Sequence, residues 1–222
     1  MTLSQLLFGV LPYVAIIIAI LVTPIRYFTR RFSYSSLSSQ FLETKQLFRG
    51  SVPWHYGIVY VLVGHIVGFL IPRSVLAWNG VPIRLYVLEI TALAAGLTAL
   101  WGLINLIIRR ATNSRIRAVT SKMDVLLLLV LIAQVVTGVL IAMLYRWGST
   151  WYAGVMVPYL YSIIKLQPNI QLVENLPFIV QLHVIGAFAL TILLPFSRLV
   201  HFLSIPFSYL WRPYQIVIWN RK

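Results

Sequence analysis

The chain has 222 residues, 60% of them apolar and 10% charged, with a mean hydropathy of +0.88. Soluble domains carry about 25% charged and about 45–50% apolar residues, so this composition excludes an ordinary globular protein and indicates a membrane-embedded one. The absence of cysteine excludes disulfides, thiolate zinc, iron–sulfur clusters and covalently attached c-type haem on this chain, while a net charge of +14 requires a reason.

Five windows are long and apolar enough to cross a bilayer core that takes ~20 helical residues. They run Leu6–Ile25, Trp54–Ile71, Leu85–Ile108, Val125–Tyr145 and Phe178–Leu203. Aromatic residues gather near their ends (Tyr27, Trp54, Trp78, Tyr145, Trp147, Trp151, Tyr209, Trp211), as interfacial belts do. The expected architecture is an all-α integral membrane protein forming one domain over residues 1–222. Between the first two spans lie Arg26, Arg30, Arg31, Lys45 and Arg49; between the third and fourth lie Arg109, Arg110, Arg115, Arg117 and Lys122. With Arg198, Arg212, Arg221 and Lys222 at the C-terminal end, fourteen basic residues fall on one side, against Arg73, Arg84, Arg146 and Lys165 on the other. The positive-inside rule then puts the N-terminus outside and the C-terminus inside, and the charge is accounted for without nucleic acid. No secretory signal is expected, since the basic residues follow the first apolar run. Ser33–Ser39 reads as a loop, and Trp151–Leu166 as a segment lying flat in the outer interface.

The four histidines, His55, His65, His183 and His201, all fall in the second and fifth spans. Ionisable side chains are rare in spans and mark function when present, although a single histidine there often only bonds a neighbouring helix. Histidine supplies axial nitrogen to haem iron, and a b-type haem needs no other covalent bond from the protein, so four suffice for two bis-histidine sites. The antiparallel course of the two spans pairs His55 with His201 near the inner side and His65 with His183 near the outer side. Zinc or non-haem iron fits less well, because such sites draw three or four ligands to one point. The spacing is uneven: ten residues rise about 15 Å and eighteen about 27 Å, so a kink at Pro195 is expected to absorb the difference. Gly57, Gly64, Gly68 and Gly186 are read as sites of macrocycle approach or of close helix packing.

Several stretches in order carry a resemblance. They are Leu11-Pro12-Tyr13, Ser38-Ser39-Gln40 with Leu42, Trp54-His55-Tyr56-Gly57-Ile58 and Gly64-His65. Further on come Arg115-Ile116-Arg117-Ala118 with Thr120 and Asp124, Leu182-His183, and Pro195-Phe196-Ser197-Arg198-Leu199-Val200-His201. On these residues the chain resembles the gamma subunit of respiratory nitrate reductase, a membrane cytochrome b. The resemblance implies five helices, an outside N-terminus and two haems b between the second and fifth helices. It implies oxidation of a quinol (menaquinol or ubiquinol) near the outer haem, and electron flow through the inner haem to an iron–sulfur subunit and a molybdopterin catalytic subunit. The family carries a lysine near the quinol pocket where this chain has Tyr86, with Arg84 and Glu89 beside it. Tyr86 is read as a quinone hydrogen-bond donor or a belt residue, Arg84 as a ligand contact or an anchor, and Glu89 as a proton acceptor or a snorkelling carboxylate.

Arg198, or Arg115 or Arg117, is expected at the propionates of the inner haem, Asp124 as a cap of the fourth span, and residues 204–222 as part of a docking surface. The setting is the plasma (inner) membrane with its lipid and quinone pool. Two other readings stand beside this one. The first is the cytochrome b of a membrane hydrogenase or of a heterodisulfide or sulfite-type reductase; the second is a haem-free membrane anchor.

Overall fold

In the computed structural model, residues 1–30 and 39–203 are described, and every regular element among them is helical. Ser38 and the preceding loop residues, with the expected docking tail 204–222, lie outside the described residues. In chain order the helices are α1 (Leu11–Thr29), α2 (Lys45–Leu70), α3 (Pro72–Asn79), α4 (Pro82–Thr112) and α5 (Ser114–Ala118). Then follow α6 (Lys122–Leu144), α7 (Gly148–Trp151), α8 (Val157–Ile164), α9 (Gln171–Glu174) and α10 (Phe178–Leu193). A π-helical turn, Gln5–Val10, leads into α1, and another, Tyr152–Met156, joins α7 to α8. Five of these stretches are apolar and long enough to cross a membrane: Gln5–Thr29, Lys45–Leu70, Pro82–Thr112, Lys122–Leu144 and Phe178–Phe196.

The second helix starts nine residues before the expected Trp54, because Glu43 provides an entry that its hydropathy conceals. Both carboxylate oxygens of Glu43 accept first-turn amides, from Gln46 at 2.7 Å and Leu47 at 3.0 Å. Those donors have no partner within the helix, and a negative charge suits that end. The same carboxylate takes Nε of the buried Arg109 at 2.7 Å. Arg109 also donates to the carbonyls of Ser39 and Glu43 and to Ser39 Oγ, which ties the loop before α2 to the end of α4. Burial opposes the charged form of Glu43, yet the Arg109 guanidinium and the two amides hold its carboxyl below the ordinary value. A depressed carboxylate stabilises the fold above its unfolded pKa, and that contribution disappears as pH falls through the folded pKa. In detergent, the stability gap between the native chain and Glu43→Gln is expected to be full at pH 7. It should close below about pH 4, as thermal unfolding across pH would read.

α2 and α4 form the tightest pair. A Cβ on Gly57 would meet Ala95 O at 2.6 Å and Ala99 N at 2.5 Å, and one on Gly102 would meet Gly50 O at 2.7 Å. Only glycine permits backbones to come this near. α4 packs next on α6 and α6 on α10, while α1 packs on α10, so α2 and α10 scarcely touch.

One expectation changes. The fifth span is not one helix to Leu203: α10 ends at Leu193, a 3-10 turn covers Leu194–Phe196, Ser197 is extended, and a second 3-10 turn covers Arg198–Leu203. Pro195 lacks the amide that would continue the ladder, and Arg26 on α1 takes the freed carbonyls of Pro195 at 2.6 Å and Ser197 at 3.1 Å. In the segment Trp151–Leu166, Met156, Tyr159 and Ile163 are buried with Phe8, Val173 and Val184, and the Tyr159 hydroxyl donates to Phe8 O at 2.9 Å. Ile164 and Leu166 on the same segment are exposed.

Candidate haem-binding site

The chain brings two of its histidines, His55 and His201, together. The rings of His55 on α2 and His201 on the final 3-10 turn have centroids 6.3 Å apart, inclined at 70°. Two metal–imidazole bonds of about 2 Å, with about 1.1 Å from each nitrogen to its ring centre, separate coaxial ligand rings by about 6 Å. The His55–His201 gap fits a metal between them.

Their hydrogen bonds also suit ligation. A carbonyl oxygen only accepts, so a ring nitrogen beside one carries the proton. His55 Nδ1 donates to Ser51 O at 2.7 Å, His65 Nδ1 to Val61 O at 2.8 Å and His201 Nδ1 to Arg198 O at 2.6 Å. His183 Nδ1 lies 3.0 Å from Thr137 Oγ1, whose own hydrogen is directed at Ala133 O at 2.8 Å, so that hydroxyl accepts. All four rings thus hold the lone pair on Nε2; at His55, His65 and His201 this is the form of a metal-ligating histidine with its other nitrogen anchored, whereas at His183 a side-chain amide takes that lone pair. The Gln134 amide nitrogen donates to His183 Nε2 at 3.2 Å, while Gln134 Oε1 is buried without a partner. Among the described residues no cluster of three or more histidines and carboxylates could hold a bare metal ion.

The glycines separate by environment. Gly57 serves the α2–α4 seam, Gly68 receives the Tyr152 ring and Gly186 faces the Gln134 amide. A Cβ on Gly64 would meet nothing within 4 Å, so of these four only Gly64 opens onto free space beside a histidine. Tyr152 stacks edge-on to His65, with centroids 5.1 Å apart, and donates to His65 O at 3.0 Å.

Arg198 donates to Asp124 through Nε at 2.6 Å and through its terminal nitrogen at 2.9 Å. Asp124 completes a capping box with Ser121, as expected of a span-initiating aspartate. Arg115 and Arg117 are exposed on the short α5.

At the other end, Tyr86 packs edge-on to Trp147 with centroids 5.3 Å apart, and Arg84 lies 5.1 Å over Trp78. Glu89 is tied into the protein: Oε1 accepts Ser149 N at 2.8 Å and Ser149 Oγ at 2.6 Å, at the first turn of α7. Sequence reasoning passed over Ser51, Thr137, Gln134 and the Glu43–Arg109 pair. For Gln134 and Thr137 a signal existed: two polar residues three apart in an otherwise apolar span, where a polar side chain needs a partner.

A family model described as nitrate reductase gamma subunit matches residues 4–220. The nitrate reductase gamma chain of Bacillus subtilis is 35% identical over 216 residues, covering 96% of this chain and 97% of that one. The respiratory nitrate reductase 1 gamma chain of Escherichia coli is 30% identical over 220 residues, covering 97% of each. The nitrate reductase-like protein NarX of Mycobacterium tuberculosis is 34% identical, with 96% of this chain matching 33% of that longer protein. With its five apolar helices and its paired histidines, the chain belongs to the nitrate reductase gamma subunit family.

Proposed function

We propose that this chain is the di-haem b subunit of a nitrate reductase complex, oxidising a membrane quinol and delivering electrons to an iron–sulfur subunit that feeds a molybdopterin catalytic subunit. The observation that carries the reading is the 6.3 Å separation of the His55 and His201 rings. A b haem, when bound, supplies a one-electron carrier, and that is what joins a two-electron quinol to a chain of single-electron steps. His55 and His201 hold the inner site and His65 and His183 the outer one, each through Nε2. Gly64 leaves room beside His65. Arg198, or Arg115 or Arg117, provides a cation for the inner propionates.

At the outer end Tyr86 and Arg84 border the quinol (menaquinol or ubiquinol). The Tyr86 phenol hydrogen-bonds a quinone oxygen, and Glu89 accepts a proton bound for the outer water. With the N-terminus outside and the C-terminus inside the plasma membrane, proton release outward and electron flow inward both charge that membrane. The inner loops and residues 204–222 form the docking surface for the iron–sulfur subunit.

The reduced-minus-oxidised visible spectrum of the purified complex, with haem counted per copy of this chain, tests the reading. Two b haems are expected. A complex without haem would leave a membrane anchor and refute the proposal.

A bulky residue at Gly64 offers a second check. A Cβ there meets no protein atom within 4 Å, so the chain is expected to insert and to unfold near the native temperature, yet to lose the outer haem. Leucine at Gly57 strikes the α4 backbone and should lower the unfolding temperature instead. Haem content and thermal unfolding of the two variants separate these effects.

A further inference from the structure

His201 does not sit on a regular helix. The backbone breaks at Ser197, and the 3-10 turn Arg198–Leu203 follows. A side chain there lacks the α-helical ladder that fixes an ordinary helical residue, so tertiary contacts must hold it in place. Arg26 anchors the break itself, through the carbonyls of Pro195 and Ser197. The turn after it is anchored by Asp124, which is 5% exposed. Asp124 Oδ1 accepts Arg198 Nε at 2.6 Å and Oδ2 accepts the terminal nitrogen at 2.9 Å, the two-pronged geometry that fixes both position and angle. Arg110 approaches the same oxygen at 3.4 Å and is steadied by Thr120 Oγ1 at 3.0 Å. The carbonyl of the same Arg198 accepts His201 Nδ1 at 2.6 Å. One residue therefore joins a carboxylate on α6 to the imidazole: its side chain is clamped and its carbonyl sets the ring.

Capping alone does not explain this arrangement. The capping box uses Oδ2, which accepts Ser121 N at 3.0 Å, whereas Oδ1 is given to Arg198 at the shortest distance in the cluster.

We infer that Asp124 is a positioning residue for His201: through Arg198 it fixes the carbonyl that sets the tautomer and orientation of this ligand, and with them the ligand field and midpoint potential of the inner haem. The inference rests on the proposed ligation of a haem by His201. Partners of this kind, once removed, typically weaken a site about 10–100-fold. Removing the carboxylate charge also leaves Arg110 and Arg198 uncompensated, which disfavours the more positive oxidised haem and moves the potential upward.

The experiment uses the full chain in its complex, in membranes from a haem-replete host. Asp124→Asn keeps the shape and an acceptor for Ser121 but loses the charge, Asp124→Glu keeps the charge, and Ser121→Ala loses the cap alone. Redox titration of the α-band and the low-spin EPR lines resolve the two haems. Asp124→Asn is expected to raise the inner potential and shift its EPR line while the outer signal stays put, with Asp124→Glu restoring part of the difference and Ser121→Ala changing neither. If both haems of Asp124→Asn match the native chain, or if Ser121→Ala moves the inner haem equally, the aspartate is only a cap and the inference fails. Asp124→Ala that retains the native inner-haem content and EPR line sinks it in the same way. A native chain with no haem at all would instead overturn the proposed function.

Discussion

Alanine at His55 or at His201 is expected to remove the same one of two b-haem signals, and alanine at His65 or at His183 to remove the other. A b haem is held without a covalent link to the chain, so losing one of its two axial bonds releases it or leaves it weakly held. The pairing follows from the proposed sites: the His55 and His201 rings are 6.3 Å apart, which leaves His65 and His183 as the second pair. Either class of variant should bring quinol-driven nitrate reduction to background. Nitrate reduction fed by a soluble dye, which bypasses this subunit, should persist. Spectra and both assays on the four variants supply the check, and matched losses for His55→Ala and His183→Ala would show the pairing to be crossed.

How much of this was legible in the sequence depends on how local each signal is. Apolar runs, basic loops and intramembrane histidines are properties of single segments, and hydropathy and counting find them. The Pro195 kink was readable because proline acts on its own backbone. Its stabilisation by Arg26 was not, since a residue 169 positions away supplies the donors. In Trp151–Leu166 the apolar, aromatic character was legible but not which of its residues pack on Phe8 and Val184, since only the neighbours decide that. Glu43 was hidden for a third reason. A carboxylate ahead of an apolar run reads as part of a loop until the two amides it caps are seen.

Arg109→Met is expected to destabilise the junction of the α2 entry with the end of α4 by about 3 kcal/mol, the lower part of the range of about 3–5 for breaking a buried ion pair. Arg109 is 3% exposed, and Glu43, at 16%, keeps some contact with water that softens the loss. The substitution preserves the apolar stem but leaves the Glu43 carboxylate and two loop carbonyls, Ser39 O and Glu43 O, without their donor. Lysine should not rescue it: a single ammonium cannot reach the Glu43 carboxylate, Ser39 O and Glu43 O with the fan of a guanidinium. The double variant Arg109→Met with Glu43→Gln should recover part of the stability, because it removes the stranded charge along with its partner. Thermal unfolding of the three variants in detergent tests this, and a full rescue by lysine would mean that charge alone is needed. The consequence for function follows from α2. With the Glu43 cap loosened, the first turns of the helix fray toward Ser51, which anchors His55, so the inner haem should weaken before the outer one does.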